Sequence, residues 1–302
     1  MDAAFVAVFY TALHAAAPLL LAGTGELITE KSGVLNLGVE GMMLVGAVVG
    51  FIAGFHGGGL WLPVCAAAVA GAAMAFLFAL LTVGLRVNQV ATGLALTIFG
   101  AGLSAFLGQS YTGKPLPPPP HALPENWADI PFLGKLLFAH DSLTYFAFLI
   151  PLAVWFLFRT RWGLILRAVG ENHGAAHALG FRVTAIRFAA VVSGGALCGI
   201  GGAYLSLVYT PLWAENMTAG RGWIALALVV FAAWRPLRLL AGAVLFGFVG
   251  VGELFMQGWN YAPPSQFLSM APYLATLIAL AVLSARRGAA AAPNCLGRPF
   301  PL

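Results

Sequence analysis

Apolar runs of about twenty residues recur along the whole chain, and they constrain its fold more than any other feature. A helix that crosses a bilayer needs about 20 mostly apolar residues, because the hydrocarbon core is roughly 30 Å thick and a helix rises about 1.5 Å per residue. The runs are Ala3–Gly23, Val34–Phe55, Leu60–Leu85, Val90–Gly108, Ser142–Phe158, Phe188–Val208, Trp223–Trp234, Leu239–Gly258 and Ser269–Ala285. The seventh run is too short to cross comfortably. We therefore predict an all-α polytopic integral membrane protein with about nine transmembrane helices, within a range of about eight to ten.

The composition agrees with this prediction and excludes the soluble classes of protein. Hydrophobic residues make up 61% of the 302 residues, charged residues only 8%, and the mean hydropathy is +0.90. A soluble domain carries roughly 25% charged residues, so this chain lacks the charge to cover a water-facing surface. A cytosolic enzyme and a disordered protein are excluded. The 15 basic and 10 acidic residues are too few for a nucleic-acid-binding face. Membrane lipid is therefore the predicted environment, and no nucleic-acid partner is expected.

The positions of the basic residues predict the orientation of the chain. Five arginines lie in the segment from Arg159 to Arg187, and placing this segment in the cytoplasm puts twelve of the fifteen basic residues on that side. Cytoplasmic loops carry such an excess of Lys and Arg. Asp2, Glu215 and three acidic residues of the long loop then fall outside. The predicted topology has the N-terminus outside and the C-terminus inside.

Residues 1–287 are predicted to form a single transmembrane domain. Its longest external loop is the proline-rich segment 109–141, in which the run from Pro115 to Pro120 is not helical because proline lacks the amide hydrogen that a helix needs. Residues 159–187 form a cytoplasmic loop. Residues 288–302, which include four consecutive alanines, are expected to form a disordered tail.

Polar residues interrupt the apolar pattern most clearly between Gly23 and Gly41. This stretch carries Asn36 and Glu40 just before and inside a predicted span. An unpaired charge at this depth is costly, so such a residue usually faces a cavity or pairs with a neighbour. Two interpretations stay open: a role near a pathway or a subunit contact, or a purely structural polar anchor.

Two further polar clusters lead into spans, Arg86–Gln89 with the nearby Thr92, and Glu215–Gly222. Transporter sites are often built where short or glycine-interrupted segments recur in corresponding positions of two halves of a chain. Gly33–Gly50 and Ala219–Trp234 fit such a pair, although their sequence similarity is weak. The candidate pathway residues from the first two clusters are Asn36, Glu40, Asn88, Gln89 and Thr92.

A short helix is predicted in the cytoplasmic loop between Asn172 and Gly180. Asn172 is a good N-cap, and Gly180 is a good residue for the position just after the last turn. A small apolar face would be formed by Ala175, Ala176 and Leu179. A helix of about two turns is marginal alone in water. It therefore docks either on a partner protein or on the chain's own spans.

No motif for covalent or metal chemistry occurs in the sequence. There is no GxxxxGK[ST] phosphate loop, no HExxH and no GxSxG, and the six histidines are scattered. We therefore predict no catalytic residue, no metal site and no cofactor in this chain, which leaves an intramembrane enzyme without a nucleophile or metal set. An ion-coupled secondary carrier that uses the intramembrane carboxylates Glu40 and Glu253 is a further hypothesis.

Four segments of the chain, in order, resemble blocks of the permease subunits of bacterial ABC importers. They are TGELITEKSGVLNLGVEGMMLVGA (24–47), VNQVATGLALTIFG (87–100), RAVGENHGAAHALGFRVTAIRFAAVVSGGALCGIGGAY (167–204) and MTAGRGWIALALVVFAAWRPL (217–237). The resemblance is to the branched-chain amino acid/ribose-type permease superfamily, and within it to the nucleoside and simple-sugar branch. It covers residues 20 to 285, without the proline-rich loop and the tail. His173 and Gly174 depart from the family, which often has proline and a polar residue there.

The resemblance implies a multi-pass permease domain of the bacterial cytoplasmic (inner) membrane that forms half of a transport pathway. It implies a second permease subunit, identical or related, and an extracytoplasmic solute-binding protein that delivers the solute. A cytoplasmic ABC ATPase, which binds ATP and magnesium, would drive transport. The predicted short helix would be the coupling helix that contacts this ATPase, through Gly170, Glu171, Asn172, Ala175, Ala176, Leu179 and Gly180. Nucleosides are the expected solutes, with simple sugars or branched-chain amino acids as alternatives.

Overall fold

The computed structural model describes residues 2–57, 59–124, 127, 130, 133–257, 270, 274 and 292–300, and the regular structure in these residues is helical. We number the helices α1 to α11 along the chain. They are α1 (Asp2–Lys31), α2 (Val39–Phe55), α3 (Trp61–Ala79), α4 (Gln89–Gly108), α5 (Leu133–Leu137), α6 (Ser142–Leu157), α7 (Arg161–Glu171), α8 (His173–Ala178), α9 (Val183–Tyr204), α10 (Arg221–Phe231) and α11 (Pro236–Gln257). Two of them, α3 and α9, continue in a turn of π-helix, Leu80–Gly84 and Leu205–Tyr209.

Four helical segments among the described residues are long and apolar enough to cross a membrane: Val6–Lys31, Trp61–Gly84, Gln89–Tyr111 and Val183–Tyr209. Helices α6 and α7 form a fifth if this pair, bent by 79°, counts as one span. Three shorter apolar helices are Val39–Phe55, Arg221–Phe231 and Pro236–Gly252. The predicted span Ser269–Ala285 lies outside the described residues apart from 270 and 274, and so does the side chain of Glu253. The helical membrane class is confirmed, while the count of nine and the orientation stay predictions.

Helix α9 lies at the centre of the bundle and packs against α1, α2 and α3. Glycines make this packing close: a Cβ atom on Gly46 would collide with the backbone of Gly199, and one on Gly71 would collide with the backbones of Gly195 and Gly199. Helices in lipid lack a hydrophobic reason to associate, so small residues that allow backbone contact stabilise the bundle. The glycine repeats of α2 and α9 are therefore packing surfaces.

The polar stretch 23–41 is divided differently from the sequence prediction. Helix α1 continues through it to Lys31, and α2 begins only at Val39, after a break of seven residues in which Gly33 has a left-handed φ of 91°. The predicted boundaries Ala3–Gly23 and Val34–Phe55 are wrong at this point. The reason is that Glu26 and Glu30, one helical turn apart, point into the protein and are fully buried. Their polarity therefore does not end the helix.

The proline-rich segment 115–120 contains no helix, as predicted, and Pro115 forms an isolated antiparallel bridge with Leu212. The amide of Leu116 donates to the carbonyl of Pro211 over 2.8 Å. These contacts hold the loop beside the segment that follows α9.

The segment between α6 and α9 contains two helices where the sequence predicted one. Helix α8 and its caps are confirmed: the Asn172 side chain accepts a hydrogen bond from the Ala175 amide over 2.9 Å, and Gly180 has a φ of 87°. Helix α7 precedes it, and the Thr160 side chain caps its first turn. Its buried residues Gly163, Leu166, Val169 and Gly170 recur at helical spacing, so one face of α7 packs while the other is exposed.

The tail differs from the predicted disordered segment 288–302 in its described part. Residues 292–300 form turns that pack against the rest of the chain. The amide of Cys295 donates to the carbonyl of Gly170 over 2.9 Å, and the amide of Gly297 donates to the carbonyl of Gly33 over 3.2 Å. Composition alone suggested disorder because alanine and proline offer few specific contacts, whereas backbone hydrogen bonds fix this segment.

Candidate functional site

The short helix α10 is held at both ends by buried glutamates of neighbouring helices. It has eleven residues and so is about 16 Å long, about half the thickness of the hydrocarbon core. Residues with left-handed backbone occur just before it (Asn216, Ala219 and Gly220) and just after it (Ala233 and Trp234). Such strained turns persist only where surrounding contacts fix them.

At the N-terminal end of α10, the Glu40 carboxylate accepts hydrogen bonds from three donors. The Gly220 amide donates to Oε1 over 2.9 Å and the Gly222 amide donates to Oε2 over 2.6 Å, while the Thr218 hydroxyl also donates to Oε1. A helix N-terminus favours a negative charge because its first amides lack partners within the helix. Glu40, which is 7% exposed, therefore joins the start of α2 to the start of α10.

At the C-terminal end of α10, the indole Nε1 of Trp234 donates to Oε2 of Glu30. Among the described residues, no group donates a hydrogen bond to the other oxygen, Oε1, or to Oε2 of Glu26. The two carboxyl groups are fully buried, one helical turn apart on α1. This end of α10 therefore meets a buried acidic pair with fewer donors than Glu40 has.

Side chains form hydrogen bonds with backbone groups in the break between α1 and α2. Asn36 forms a turn just before α2, because its Oδ1 accepts from the Gly38 amide over 2.9 Å, and the backbone amide of Asn36 donates to Glu26 Oε1 over 3.1 Å. Gln89 accepts from the Leu35 amide over 2.8 Å. Buried backbone groups without partners are costly, so these side chains allow the helix to be interrupted inside the protein.

The five predicted pathway residues lie around this break and differ in exposure. Asn36, Gln89, Thr92 and Glu40 are buried, whereas Asn88 is exposed and caps α4 by accepting from the Ala91 amide. The Thr92 hydroxyl is buried without a hydrogen-bond partner. A cleft of about 300 Å³ opens beside Asn88 and Gln89, and the tail closes its far side with Gly297 and Pro299.

The predicted coupling residues separate into buried and exposed groups. Gly170 and Ala176 are buried: a Cβ on Gly170 would collide with the backbone of Lys31, and Ala176 packs with Val169 and Val183. The exposed group consists of Glu171, Asn172, Ala175, Leu179 and Gly180. Leu179 is 75% exposed, which is unusual for a leucine beside a well-packed helix and marks the open face of α8.

His173 of α8 accepts from a buried arginine. Burial lowers the pKa of its imidazole below the ordinary value, and the guanidinium groups of Arg187 and Arg298 lower that pKa further. The imidazole is therefore neutral at pH 7, and its Nδ1 lies 3.2 Å from Nη2 of Arg187. Since Arg187 has only donors, Nδ1 is the acceptor.

Comparison with known proteins identifies the family. A family model described as the permease component of branched-chain amino acid transport systems matches residues 8–285. The chain belongs to this permease family. This result confirms the resemblance inferred from the four sequence blocks, and the permease is a transport component of the ABC class and a multi-pass membrane protein.

Three relatives match this permease over nearly their whole length. It is 41% identical to a putative glucose ABC transporter permease protein of Haloferax volcanii, over 94% of both chains. It is 33% identical to a guanosine ABC transporter permease protein of Bacillus subtilis, over 94% of this chain and 93% of the relative. It is 32% identical to a nucleoside ABC transporter permease protein of Lactococcus lactis, over 93% and 92%.

One solved structure resembles the fold of the permease. It is described as an inward-facing conformation of a putative metal-chelate type ABC transporter, and it aligns over 90% of this chain and 85% of that chain with a TM-score of 0.51. The sequence identity is 17%, so this likeness concerns the fold alone.

Sequence reasoning missed two partners of the site. Trp234 was assigned only to the end of an apolar run, and Arg187 only to a basic segment, although both are buried donors to the region around the break. Glu26 and Glu30 are not among the predicted site residues. The available signal was their spacing of four residues on an otherwise apolar helix, which places both on one face.

Proposed function

We propose that this permease is the pathway-forming subunit of an ATP-driven importer for nucleosides. The observation that carries the proposal is the pair of interrupted segments, the break before α2 and the short helix α10, joined by Glu40. Helices interrupted inside a membrane protein are the usual site of solute passage in transporters. Two of the relatives that are at least 30% identical are named for nucleoside or guanosine transport, which supports nucleosides as the solute.

Within this proposal, the residues around the break have different roles. Asn88 and Gln89 border the cleft at the predicted cytoplasmic side and are the best placed to meet a passing solute. Thr92 has a free hydroxyl with which a polar solute could form a hydrogen bond. Asn36 and Glu40 act indirectly, because their polar atoms are engaged by the backbone of the break and of α10.

The proposed partners follow from the same class. A second permease subunit completes the pathway, an extracytoplasmic solute-binding protein delivers the solute, and a cytoplasmic ABC ATPase binds ATP and magnesium. The ATPase would contact the exposed face of α8 through Glu171, Asn172, Ala175 and Leu179. Gly170, Ala176 and Gly180 would position that face. Closure of the ATPases would then switch the pathway between outward-facing and inward-facing states, in the bacterial inner membrane.

Glucose or a related simple sugar is the second candidate solute, because the 41% identical relative is named as a putative glucose permease. Branched-chain amino acids have the weaker support of the family description alone. An ion-coupled carrier that uses Glu40 is disfavoured by the contacts of that carboxylate, since three donors already occupy it.

Uptake by the intact complex tests the proposed solute. The permease is purified with its ATPase and binding protein and reconstituted into proteoliposomes, and uptake of radiolabelled guanosine and glucose is measured with and without ATP. We expect ATP-dependent guanosine uptake that unlabelled nucleosides compete with and excess glucose does not. ATP-dependent glucose uptake that nucleosides do not inhibit would show that the solute is a sugar and not a nucleoside. Uptake that persists without ATP and collapses with an ionophore would support a secondary carrier.

Substitution of Leu179 tests the coupling surface. Leu179→Glu places a charge on the exposed face of α8 without touching a buried group, so the fold is unaffected while the apolar contact with the ATPase is lost. We expect the ATPase no longer to co-purify with the variant. Leu179→Met is the matched control, because methionine keeps nearly the same apolar volume. Full ATPase association by Leu179→Glu would contradict the assignment of this face.

A further inference from the structure

Residues 292–300 connect the coupling segment to the break between α1 and α2, and we refer to them as the C-terminal strap. Two of its amides, two residues apart, bind the two sides: Cys295 donates to Gly170 at the end of α7, and Gly297 donates to Gly33 in the break. The Asn294 amide also donates to the Glu171 carboxylate over 3.4 Å. The strap thus contacts both the region that would meet the ATPase and the region that interrupts the membrane helix.

The buried Arg187 side chain joins the same three regions through one guanidinium group. It is 2% exposed. Its Nε donates to the carbonyl of Ser32 in the break over 3.1 Å, and its Nη1 donates to the carbonyl of Arg298 in the strap over 2.9 Å. Its Nη2 donates to His173 of α8. Because the guanidinium is planar and rigid, these three partners hold fixed positions relative to one another.

Phe300 at the end of the strap covers one side of α8. Its ring packs edge-on against the rings of His173 and His177, with centroid distances of 5.3 Å in both cases. It also packs against the cluster of Val169, Ala176 and Val183. Leu179 lies outside this cover, so the strap leaves free the face proposed for the ATPase.

We propose that the C-terminal strap is a coupling element that makes α8 and the break between α1 and α2 move as one body. The proposal rests on the proposed function, since it assumes that an ATPase acts on α8. A displacement of α8 would reach the break by three routes: the direct backbone contact of Gly170 with Lys31, the Arg187 guanidinium that joins His173 to Ser32, and the strap. Removal of the strap leaves the first two routes, takes one partner from Arg187 and breaks the third route.

Truncation tests the strap in the reconstituted complex. A chain that ends at Ala291 lacks the strap but keeps the exposed face of α8, so the ATPase is expected to co-purify as before. The number of solute molecules taken up per ATP hydrolysed is expected to fall about 2- to 30-fold, the range found for residues that link two coupled sites. A chain that ends at Phe300 is the matched control and is expected to keep the ratio of the full chain.

A point substitution provides the second measurement, in case the truncated chain does not fold. Phe300→Ala removes the contact with His173 and His177 but keeps every backbone hydrogen bond of the strap, and we expect the same loss of coupling at the lower end of that range. Phe300→Leu, which keeps an apolar side chain, should restore much of the ratio. Such a rescue distinguishes positioning of α8 from general destabilisation.

The outcomes separate the strap from the proposed function. A full-length complex without ATP-driven uptake would overturn the proposed function, and the strap proposal with it. A full-length complex that transports, beside truncated and Phe300→Ala variants with unchanged uptake per ATP, would overturn the strap alone. Loss of ATPase binding in Phe300→Ala would also overturn it, because the strap would then be part of the docking surface.

Discussion

The two ends of α10 are both bound to a buried glutamate, but the two carboxylates meet opposite electrostatic conditions. Glu40 faces the first turn of α10, where free amides produce about half a positive charge, and it accepts from three donors. Glu30 faces the turn after the last residues of α10, where carbonyls produce a partial negative charge. It accepts from one indole and is left with one oxygen that has no donor.

A buried glutamate thus binds each end of α10, but the number of hydrogen bonds that it forms differs between the two ends. Glu40 accepts from three donors at the N-terminus of α10, so several hydrogen bonds fix the start of this helix. Glu30 lies one helical turn from the buried Glu26 and accepts from Trp234, so its end of α10 is held by this hydrogen bond and by packing of Trp234. We therefore expect the N-terminal attachment to be the stronger one.

The largest expected effect comes from Glu40→Gln. Donors approach both oxygens of Glu40, so the amide group of glutamine faces a donor whichever way it is turned. The substitution removes charge-assisted hydrogen bonds and leaves a buried N–H without a partner, which should lower the free energy of unfolding by about 3 kcal/mol. Thermal and denaturant unfolding of the purified permease in detergent measures this change.

The matched control for Glu40→Gln is Glu215→Gln. Glu215 is exposed a few residues before α10, and the same loss of charge there should change stability by no more than about 0.5 kcal/mol. Equal effects of the two substitutions would show that the charge of Glu40 matters only through long-range electrostatics. The idea of a strong attachment at the start of α10 would then be wrong.

Much of this arrangement was predictable from the sequence, and particular residues show where prediction stopped. The helical membrane class, the N-cap Asn172 and the polar cluster around Glu40 follow from local patterns, namely apolar runs, capping chemistry and intramembrane charge. The pairing of Glu40 with residues 218–222 is not local, because 178 positions separate Glu40 from Thr218. Only the weak similarity of the two interrupted segments pointed to it.

The predicted helix boundaries are wrong where buried polar side chains form hydrogen bonds with residues that are distant in the sequence. The first predicted span ended at Gly23, before Glu26 and Glu30. Asn36 and Trp234 provide donors to these two glutamates, and α1 continues to Lys31. The prediction of a disordered tail is wrong for residues 292–300 for a related reason. The backbone amides of the strap bind carbonyls of remote segments, and such backbone contacts cannot be recognised from a sequence pattern. Local composition predicts what a segment can bury, but not which remote atoms it meets.

An intermediate loss of stability is expected for Trp234→Phe, which tests the attachment at the C-terminal end of α10. Phenylalanine keeps an aromatic ring but removes the indole donor, which alone among the described residues donates to Oε2 of Glu30. The substitution should lower the free energy of unfolding by about 1 to 2 kcal/mol. It leaves a buried acceptor unpaired, and the smaller ring loses packing contacts. Trp223→Phe, at a partly exposed position of the same helix, is the control and should cost less. A loss equal to that of Glu40→Gln would remove the difference between the two ends.

The smallest effect is expected for Glu30→Gln, the same chemical change as Glu40→Gln in the other environment. The glutamine oxygen can accept from Trp234, and its amide brings a donor next to the buried carboxyl group of Glu26, one helical turn away. The substitution also removes a carboxyl group from the negative end of α10. We expect a change in the free energy of unfolding within about 1 kcal/mol, in either direction. Unfolding of both variants in one detergent gives the contrast directly. A loss at Glu30 as large as the loss at Glu40 would mean that Glu30 is ionised and fully bonded, and that the two attachments are equivalent.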